Sequence, residues 1–156
     1  MTEFFSLELL VRIITSFIAT VGFAIMFKVK MRHLVWAGLS GVVTYFVYYI
    51  FEFIGAPLFT AALVSTTAAA IYAEIYARIS RAPAIIILSA AVIPTVPGGS
   101  LYYSVQHILT EEYEEAFVHL GNTLGIGLGI ACGIVLVSIL SKIITEQLEK
   151  KKKTTN

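Results

Sequence analysis

An all-helical fold that crosses a membrane several times is predicted by the apolar composition of the chain, the length of its apolar runs and the placement of its charges. Of the 156 residues, 58% are hydrophobic and only 13% are charged. The mean hydropathy is +0.85, whereas roughly one-quarter of the residues in a soluble domain are charged. The composition therefore favours a membrane protein over a soluble one.

Five apolar runs are long enough to cross a bilayer, because a spanning helix needs about 20 predominantly apolar residues. Short polar connections separate these runs. We therefore predict a single membrane domain over residues 1–141, with about five transmembrane helices, followed by a basic tail at residues 142–156. The predicted spans are Phe5 to Phe27, Leu34 to Phe53, Pro57 to Ala77, Pro83 to Gln106 and Ala116 to Leu140.

The charges alternate between the two ends of these spans. The connections "KVKMRH" and "RISRAP" and the tail are rich in Lys and Arg, whereas "EFIGAP" and "HILTEEYEE" contain neither. Because cytoplasmic segments carry the Lys and Arg excess, this alternation predicts an N-terminus outside the cell and a C-terminus in the cytoplasm. A re-entrant fourth segment would place the acidic connection inside and the lysine tail outside. The charge pattern therefore favours a full but interrupted fourth span.

The interruption is the stretch "IPTVPGGSLYYS". Pro94 and Pro97 lack backbone donors and clash with the preceding turn, while Gly98 and Gly99 allow positive φ and close approach. At a rise of ~1.5 Å per residue, Pro94 lies about 16 Å from the predicted surface at Pro83, near the centre of a ~30 Å hydrocarbon core. The sequence therefore predicts a helix that is broken at the midplane of the membrane.

At this depth, non-helical backbone is tolerated only when it is buried in protein or lines a cavity. In many transporters, a helix that is broken near the midplane forms part of the substrate site. We expect Ser100 to be the N-cap of a second half-helix ending at Leu109, whose positive dipole end suits a carboxylate. The alternative is a kink that fits a neighbouring helix, but two prolines and a glycine pair exceed what one kink needs. The candidate substrate-binding residues here are Pro94, Thr95, Pro97, Gly98, Gly99, Ser100, Tyr102 and Tyr103.

Small residues form a stripe on the fifth span and another on the third. Such stripes let helices approach closely in a bilayer, so helix packing is the favoured interpretation of both. Asn122 and Thr123 beside the first stripe are further candidates for substrate hydrogen bonds, although such residues also bond their own helix backbone. The stripes consist of Gly121, Gly125, Gly129 and Gly133, and of Ala61, Ser65, Ala69, Ala73 and Ala77.

Ionisable residues within the spans are functional candidates by default. Glu74 is a weak candidate for proton coupling, because an ion pair with Arg78 one turn later explains it equally well. Arg12 has Glu8 one turn earlier and is expected to snorkel outward.

The sequence gives no indication of a metal site, a cofactor or catalysis. The single Cys132 is interpreted as a packing residue. The three histidines, His33 in a basic connection and His107 and His119 near the outer surface, form no ligand pair at helical spacing. No nucleophile, base and orienting group come together, so we do not expect an enzyme.

The motif "IPTVPGGSLYYSV" in an apolar five-span chain, followed by a glycine-striped helix, resembles the threonine/serine exporter family, specifically its short YjjB-like branch. The resemblance implies export of threonine and serine, or of succinate-like dicarboxylates, across a bacterial-type plasma (inner) membrane, driven by the proton gradient. In the split form of this family two proteins supply the two membrane halves. The resemblance therefore implies that this chain is the small subunit of a hetero-oligomer with a larger YjjP-like membrane subunit.

A second interpretation belongs to a different class. A non-transporting membrane scaffold or assembly subunit would use the same stripes to hold its partner, and the partner would bury the break without a water-filled path. A membrane enzyme ranks third.

Overall fold

The computed structural model describes residues 7–155, but not the side chains of Glu8, Leu148, Glu149 and 151–155. These residues form six α-helices and one 3₁₀ turn, without any strand in the described range. The predicted all-α class is therefore confirmed, while the predicted first residue of the first span, Phe5, lies outside the described residues. In order, the elements are α1 (Leu7–Met26), α2 (Met31–Phe53), α3 (Leu58–Ser80), α4 (Ile85–Ala91), the 3₁₀ turn (Ile93–Thr95), α5 (Gly98–Leu109) and α6 (Tyr113–Thr155).

Four of the described helices, α1, α2, α3 and α6, are long and apolar enough to cross a membrane. A fifth crossing results if α4, the 3₁₀ turn and α5 form one span, bent by 49° at the break. Large apolar side chains such as Ile18, Ile71 and Leu128 are exposed on the outer faces, as a lipid environment requires. The structure is that of a polytopic membrane protein with a bent helix pair at the predicted interruption.

Each connection between long elements contains one residue in the left-handed region, which ends the preceding helix. The residues are Lys28 at φ 57°, Gly55 at φ 74°, Arg81 at φ 52° and Glu111 at φ 63°. Glycine adopts this conformation without strain, whereas other residues adopt it at a cost of about 1 kcal/mol. Three charged residues therefore occupy positions where the backbone alone favours glycine.

The contact between α1 and α2 depends on small residues that the sequence analysis did not identify. Gly41 lies against Thr20, so closely that an added Cβ would overlap its hydroxyl. The Ser16 hydroxyl donates to the Gly41 carbonyl oxygen at 3.0 Å, and both Ser16 and Thr20 are buried. These two helices consequently pack at backbone distance.

The contact between α3 and α6 uses one half of the glycine stripe. An added Cβ on Gly129 would lie 2.6 Å from the Phe59 carbonyl oxygen, and one on Gly133 would lie 2.9 Å from the Leu63 carbonyl oxygen. By contrast, nothing lies within 4 Å of a Cβ built on Gly121 or Gly125. The stripe therefore packs against α3 at its second half, whereas a contact at the first half stays a prediction.

Helix α6 runs from Tyr113 to Thr155, well past the predicted end of the fifth span at Leu140. Its 43 residues give a length of about 64 Å, roughly twice the thickness of a hydrocarbon core. The basic tail continues this helix, so no change in secondary structure marks the predicted boundary between residues 141 and 142.

Candidate functional site

The break between α4 and α5 consists of two tight turns. The 3₁₀ turn is closed by the Thr95 amide, which donates to the Val92 carbonyl oxygen at 3.0 Å. Pro97 then adopts φ −78° and ψ 51°, and the Gly98 amide donates to the Val96 carbonyl oxygen at 2.8 Å. This second turn is an inverse γ-turn. It redirects the chain at Pro97, so α5 begins at the next residue.

The first turn of α5 differs from the predicted cap. Ser100 is the third residue of the helix and not its N-cap, because helical backbone already starts at Gly98; the N-cap is Pro97, which has no side-chain acceptor. Gly98 and Gly99 have helical and not positive φ, and their Cβ positions are open. Among the described residues the amides of Gly99 and Ser100 have no hydrogen-bond acceptor. The structure therefore contains free backbone amides at the break, as the sequence predicts, but Ser100 does not cap the helix.

A cavity of ≈ 260 Å³ lies between the break, α1 and α2. Its polar wall contains Arg12, whose Nη1 donates to the Tyr45 hydroxyl at 3.3 Å. Pro94 forms the wall that the break contributes. The lining residues are Val11, Arg12, Thr15, Ser16, Ala19, Tyr45 and Pro94.

The other hydroxyl groups in this wall already have backbone partners. The Thr15 hydroxyl donates to the Val11 carbonyl oxygen at 2.8 Å, and the Ser16 hydroxyl donates to Gly41 of α2. Arg12 is the charged residue in this wall, and a guanidinium donates to carboxylates through a planar set of N–H groups, so Arg12 with Tyr45 is the pair chemically suited to an anionic ligand.

A second cavity, of ≈ 290 Å³, adjoins the first through Arg12. Its lining includes Glu52 near the end of α2, together with Tyr49 and Phe53. Arg12 thus lies between two cavities, of which one also contains a carboxylate. The cationic Arg12 and the anionic Glu52 therefore both line the ≈ 290 Å³ cavity.

The structure places one of the predicted substrate-binding residues, Pro94, in the wall of the ≈ 260 Å³ cavity, which we call the Arg12 cavity. Thr95 is buried, and its hydroxyl donates to the Val92 carbonyl oxygen at 2.8 Å. Tyr102 and Tyr103 are exposed on α5, and the Tyr103 ring lies 5.5 Å from the ring of His119. The two tyrosines therefore face away from the Arg12 cavity, toward α6 and the surface.

Asn122 and Thr123 do not line the Arg12 cavity either. The Thr123 hydroxyl donates to the carbonyl oxygen of His119 in its own helix at 2.9 Å, which is the alternative that the sequence left open. A role for Asn122 or Thr123 in substrate binding stays a prediction.

Glu74 does not form the expected direct ion pair with Arg78. The Ser141 hydroxyl of α6 donates to Glu74 Oε2 at 2.6 Å. Arg78 donates to the hydroxyls of Ser141 and Thr145, each at 3.2 Å. Since Ser141 is held between the two charges, it bridges them and joins α3 to α6.

At the other end of the bundle, His107 and Glu112 form a close hydrogen-bonded pair at the α5–α6 connection. His107 Nδ1 lies 2.6 Å from Glu112 Oε2. Hydrogen bonds from His107 and from Thr110 lower the pKa of Glu112. The His107 ring stacks on His119 with a centroid distance of 5.4 Å. No group of three metal-ligating side chains occurs among the described residues.

Two sequence assignments are corrected by burial and position, and Arg12 has a contact that the sequence did not predict. The side chain of Glu8, the predicted neighbour of Arg12, lies outside the described residues. His33 belongs to α2 and is buried, although the sequence placed it in a connection. Cys132 is exposed on α6, although the sequence analysis interpreted it as a packing residue. Arg12 contacts Tyr45, 33 residues away, and this contact makes it part of a site that the sequence analysis missed. The sequence feature that could have indicated this site is Arg12, a cation one turn before Ser16 in a mostly apolar helix.

The helical bundle and the bent pair define a multi-pass membrane protein. The sequence matches the family described as threonine/serine exporter, ThrE, over residues 12–140. The chain belongs to this family, which confirms the resemblance drawn from the Pro-Gly-Gly motif. No curated protein matches the chain. No solved structure matches it.

Proposed function

We propose that this chain is the small subunit of a two-component secondary exporter and that it holds the carboxylate of a small metabolite beside the break. The larger YjjP-like subunit supplies the remainder of the path. The observation that carries the proposal is the cavity in which Arg12 and Tyr45 of two different helices converge on Pro94. A guanidinium and a phenol next to non-helical backbone form a site for a carboxylate inside a membrane protein.

Glu52 in the adjoining cavity favours an amino acid over a dicarboxylate as substrate. A zwitterion such as threonine or serine carries an ammonium group that Glu52 attracts, whereas the second carboxylate of succinate is repelled. We propose that Arg12 and Tyr45 bind the carboxylate and that Glu52 orients the ammonium group.

The proposed orientation follows from the charges on the connections. The basic connections lie at one end of the bundle and the acidic α5–α6 connection lies at the other, so the positive-inside rule assigns the basic end to the cytoplasm of a bacterial-type cell. The Arg12 cavity then lies toward the outer half of the bundle. It is the release side of an exporter.

The test is efflux of labelled threonine and succinate from proteoliposomes that contain both subunits. Arg12→Gln should reduce threonine efflux roughly tenfold or more, because a hydrogen bond to a charged group is lost. Arg12→Lys should restore part of the rate, since it keeps the charge but not the planar fork. Tyr45→Phe should weaken efflux, while Tyr113→Phe on the exposed start of α6 serves as its control.

The substrate assignment has its own variant. Glu52→Gln should lower threonine efflux and spare or raise succinate efflux. Full efflux from a well-folded Arg12→Gln complex would contradict the carboxylate site. Efflux at the full rate by the larger subunit alone would instead support the scaffold interpretation.

A further inference from the structure

A third cavity, of ≈ 470 Å³, lies at the basic end of the bundle, between the α1–α2 connection and the α3–α4 connection. Four of its lining residues are cationic and none is acidic. We call it the basic pocket. Its cationic residues are Lys28, Lys30, Arg32 and Arg81.

No carboxylate among the described side chains neutralises the four charges of the basic pocket. Each of these side chains is exposed, and none forms an ion pair within the part of the chain that the structure describes. Helix α2 also begins here, with no side-chain cap and no acidic residue in its first turn. Since the like charges repel one another, a bound anion would stabilise this arrangement.

One of the four cations is held in place by a buried histidine. Arg32 Nε donates to His33 Nε2 at 2.9 Å. With Nε2 accepting, the proton of the ring is on Nδ1, which donates to the Tyr76 hydroxyl at 2.7 Å. This chain of bonds from α3 fixes one edge of the Arg32 guanidinium and leaves its terminal amino groups for a ligand.

Lys28 and Arg81 enter the pocket from strained positions. Both have left-handed backbone, at φ 57° and φ 52°, where glycine is the favoured residue. Strain that persists beside a cavity is a feature of binding sites.

The wall of the basic pocket is also apolar on one side. Phe27 is 46% exposed and Ile85 is 62% exposed, and both line the cavity next to the cations. A small inorganic anion would leave these side chains uncovered. An amphiphile with an anionic head and an acyl chain would contact both parts of the wall.

We propose that the basic pocket binds the phosphate headgroup of an anionic phospholipid, with an acyl chain along Phe27 and Ile85. Basic pockets between membrane helices bind such headgroups through Lys and Arg. The lipid would join the α1–α2 connection to the α3–α4 connection. This site is separate from the Arg12 cavity and does not depend on the transported substrate.

The experiment is native mass spectrometry of the purified full chain, titrated with phosphatidylglycerol and with phosphatidylcholine of the same acyl chains. The informative variant is Lys28→Gly combined with Arg81→Gly, which removes two charges and places glycine where the backbone prefers it. Phosphatidylglycerol should bind more tightly than phosphatidylcholine, and the double variant should lose roughly tenfold or more of this affinity. Lys142→Gln, an exposed lysine beside Ser141 and outside the pocket, should leave the affinity unchanged.

Helical content by circular dichroism and a single elution peak establish that the double variant is folded, and Arg32→Gln provides a second route if it is not. Equal binding of the two lipids, or unchanged phosphatidylglycerol affinity in the folded variants, would overturn the proposal. Thermal stabilisation by inorganic phosphate or by succinate, without phosphatidylglycerol binding, would also overturn it and would assign the pocket to a soluble anion.

Discussion

The α3–α6 contact and the break between α4 and α5 both depend on glycine and small polar residues, but they use them in opposite ways. In the α3–α6 contact, Gly129 and Gly133 lie against the carbonyl oxygens of α3, and Ser141 bridges Glu74 and Arg78. At the break, a Cβ added to Gly98 or Gly99 would meet no neighbouring atom within 4 Å, and free amides remain. Glycine therefore allows close packing at the α3–α6 contact, whereas the glycines of the break have open space at their Cβ positions.

This difference distinguishes a closely packed contact from an open break within one small bundle. Close backbone contact and the bridge through Ser141 hold α3 and α6 together, although the buried Thr66 hydroxyl of α3 has no hydrogen-bond partner. The break keeps unpaired donors and adjoins a cavity that contains a cation, at a cost in free energy that a purely structural helix would avoid. Substitutions in the two regions should therefore fail in different ways.

The largest effect is expected for Gly129→Leu, because an added Cβ alone would lie 2.6 Å from the Phe59 carbonyl oxygen. We expect a loss of about 3 kcal/mol in the free energy of unfolding, typical of overpacking, and little folded protein. Gly125→Leu is the matched control, since its Cβ position is open in this chain. Thermal melting of the two purified variants is the measurement.

Gly125→Leu also tests the first half of the stripe. If the larger subunit packs there, the variant should fold normally and fail to co-purify with its partner. Equal stability of both leucine variants would show that α3 and α6 do not pack as closely as described.

The next effect concerns the break and should appear in transport rather than in folding. Replacing Pro97, Gly98 and Gly99 together by alanine lets regular helix extend from α5 back toward Pro94, which reduces the break to the Pro94 turn and withdraws the free amides. Efflux by the two-subunit complex should fall to background, while the amount of membrane-inserted protein stays unchanged.

Ser100→Ala is the control for the triple variant. Because Ser100 is inside α5 and forms no cap, its loss should change stability by less than about 0.5 kcal/mol and leave most of the efflux intact. Normal efflux by a well-expressed triple variant would mean that the break is a structural kink and that the substrate binds elsewhere.

The smallest effect on folding is expected for Glu74→Gln. Its amide oxygen can still accept from Ser141, so the loss of stability should be about 1 kcal/mol or less. If Glu74 carries the coupled proton, the variant should transport down a substrate gradient but no longer respond to an imposed pH gradient. Glu114→Gln, in the exposed first turn of α6, should respond like the parent complex. A full response by Glu74→Gln would assign proton coupling to another residue.

The sequence alone determined the class of fold, the positions of the long helices and the place of the break. These features follow from local chemistry, since about 20 apolar residues form a span and proline ends a helix wherever it occurs. The resemblance to the threonine/serine exporter family also came from a local feature, the Pro-Gly-Gly motif. Local chemistry also explains why the predicted ends of the spans agree with the helix ends to within a few residues. The exception is α6, which continues as a polar helix beyond the predicted end of its apolar span.

Only the tertiary structure decided which side chains meet. Arg12 and Tyr45 are 33 residues apart, and Lys28 and Arg81 belong to different connections, so no local pattern joins them. The stripe of four glycines is uniform in sequence, yet α3 covers Gly129 and Gly133 and leaves Gly121 and Gly125 open. Periodicity defines the face of a helix, whereas the crossing of a neighbouring helix defines which part of that face is buried. The cavity beside the break and the basic pocket arise from such crossings.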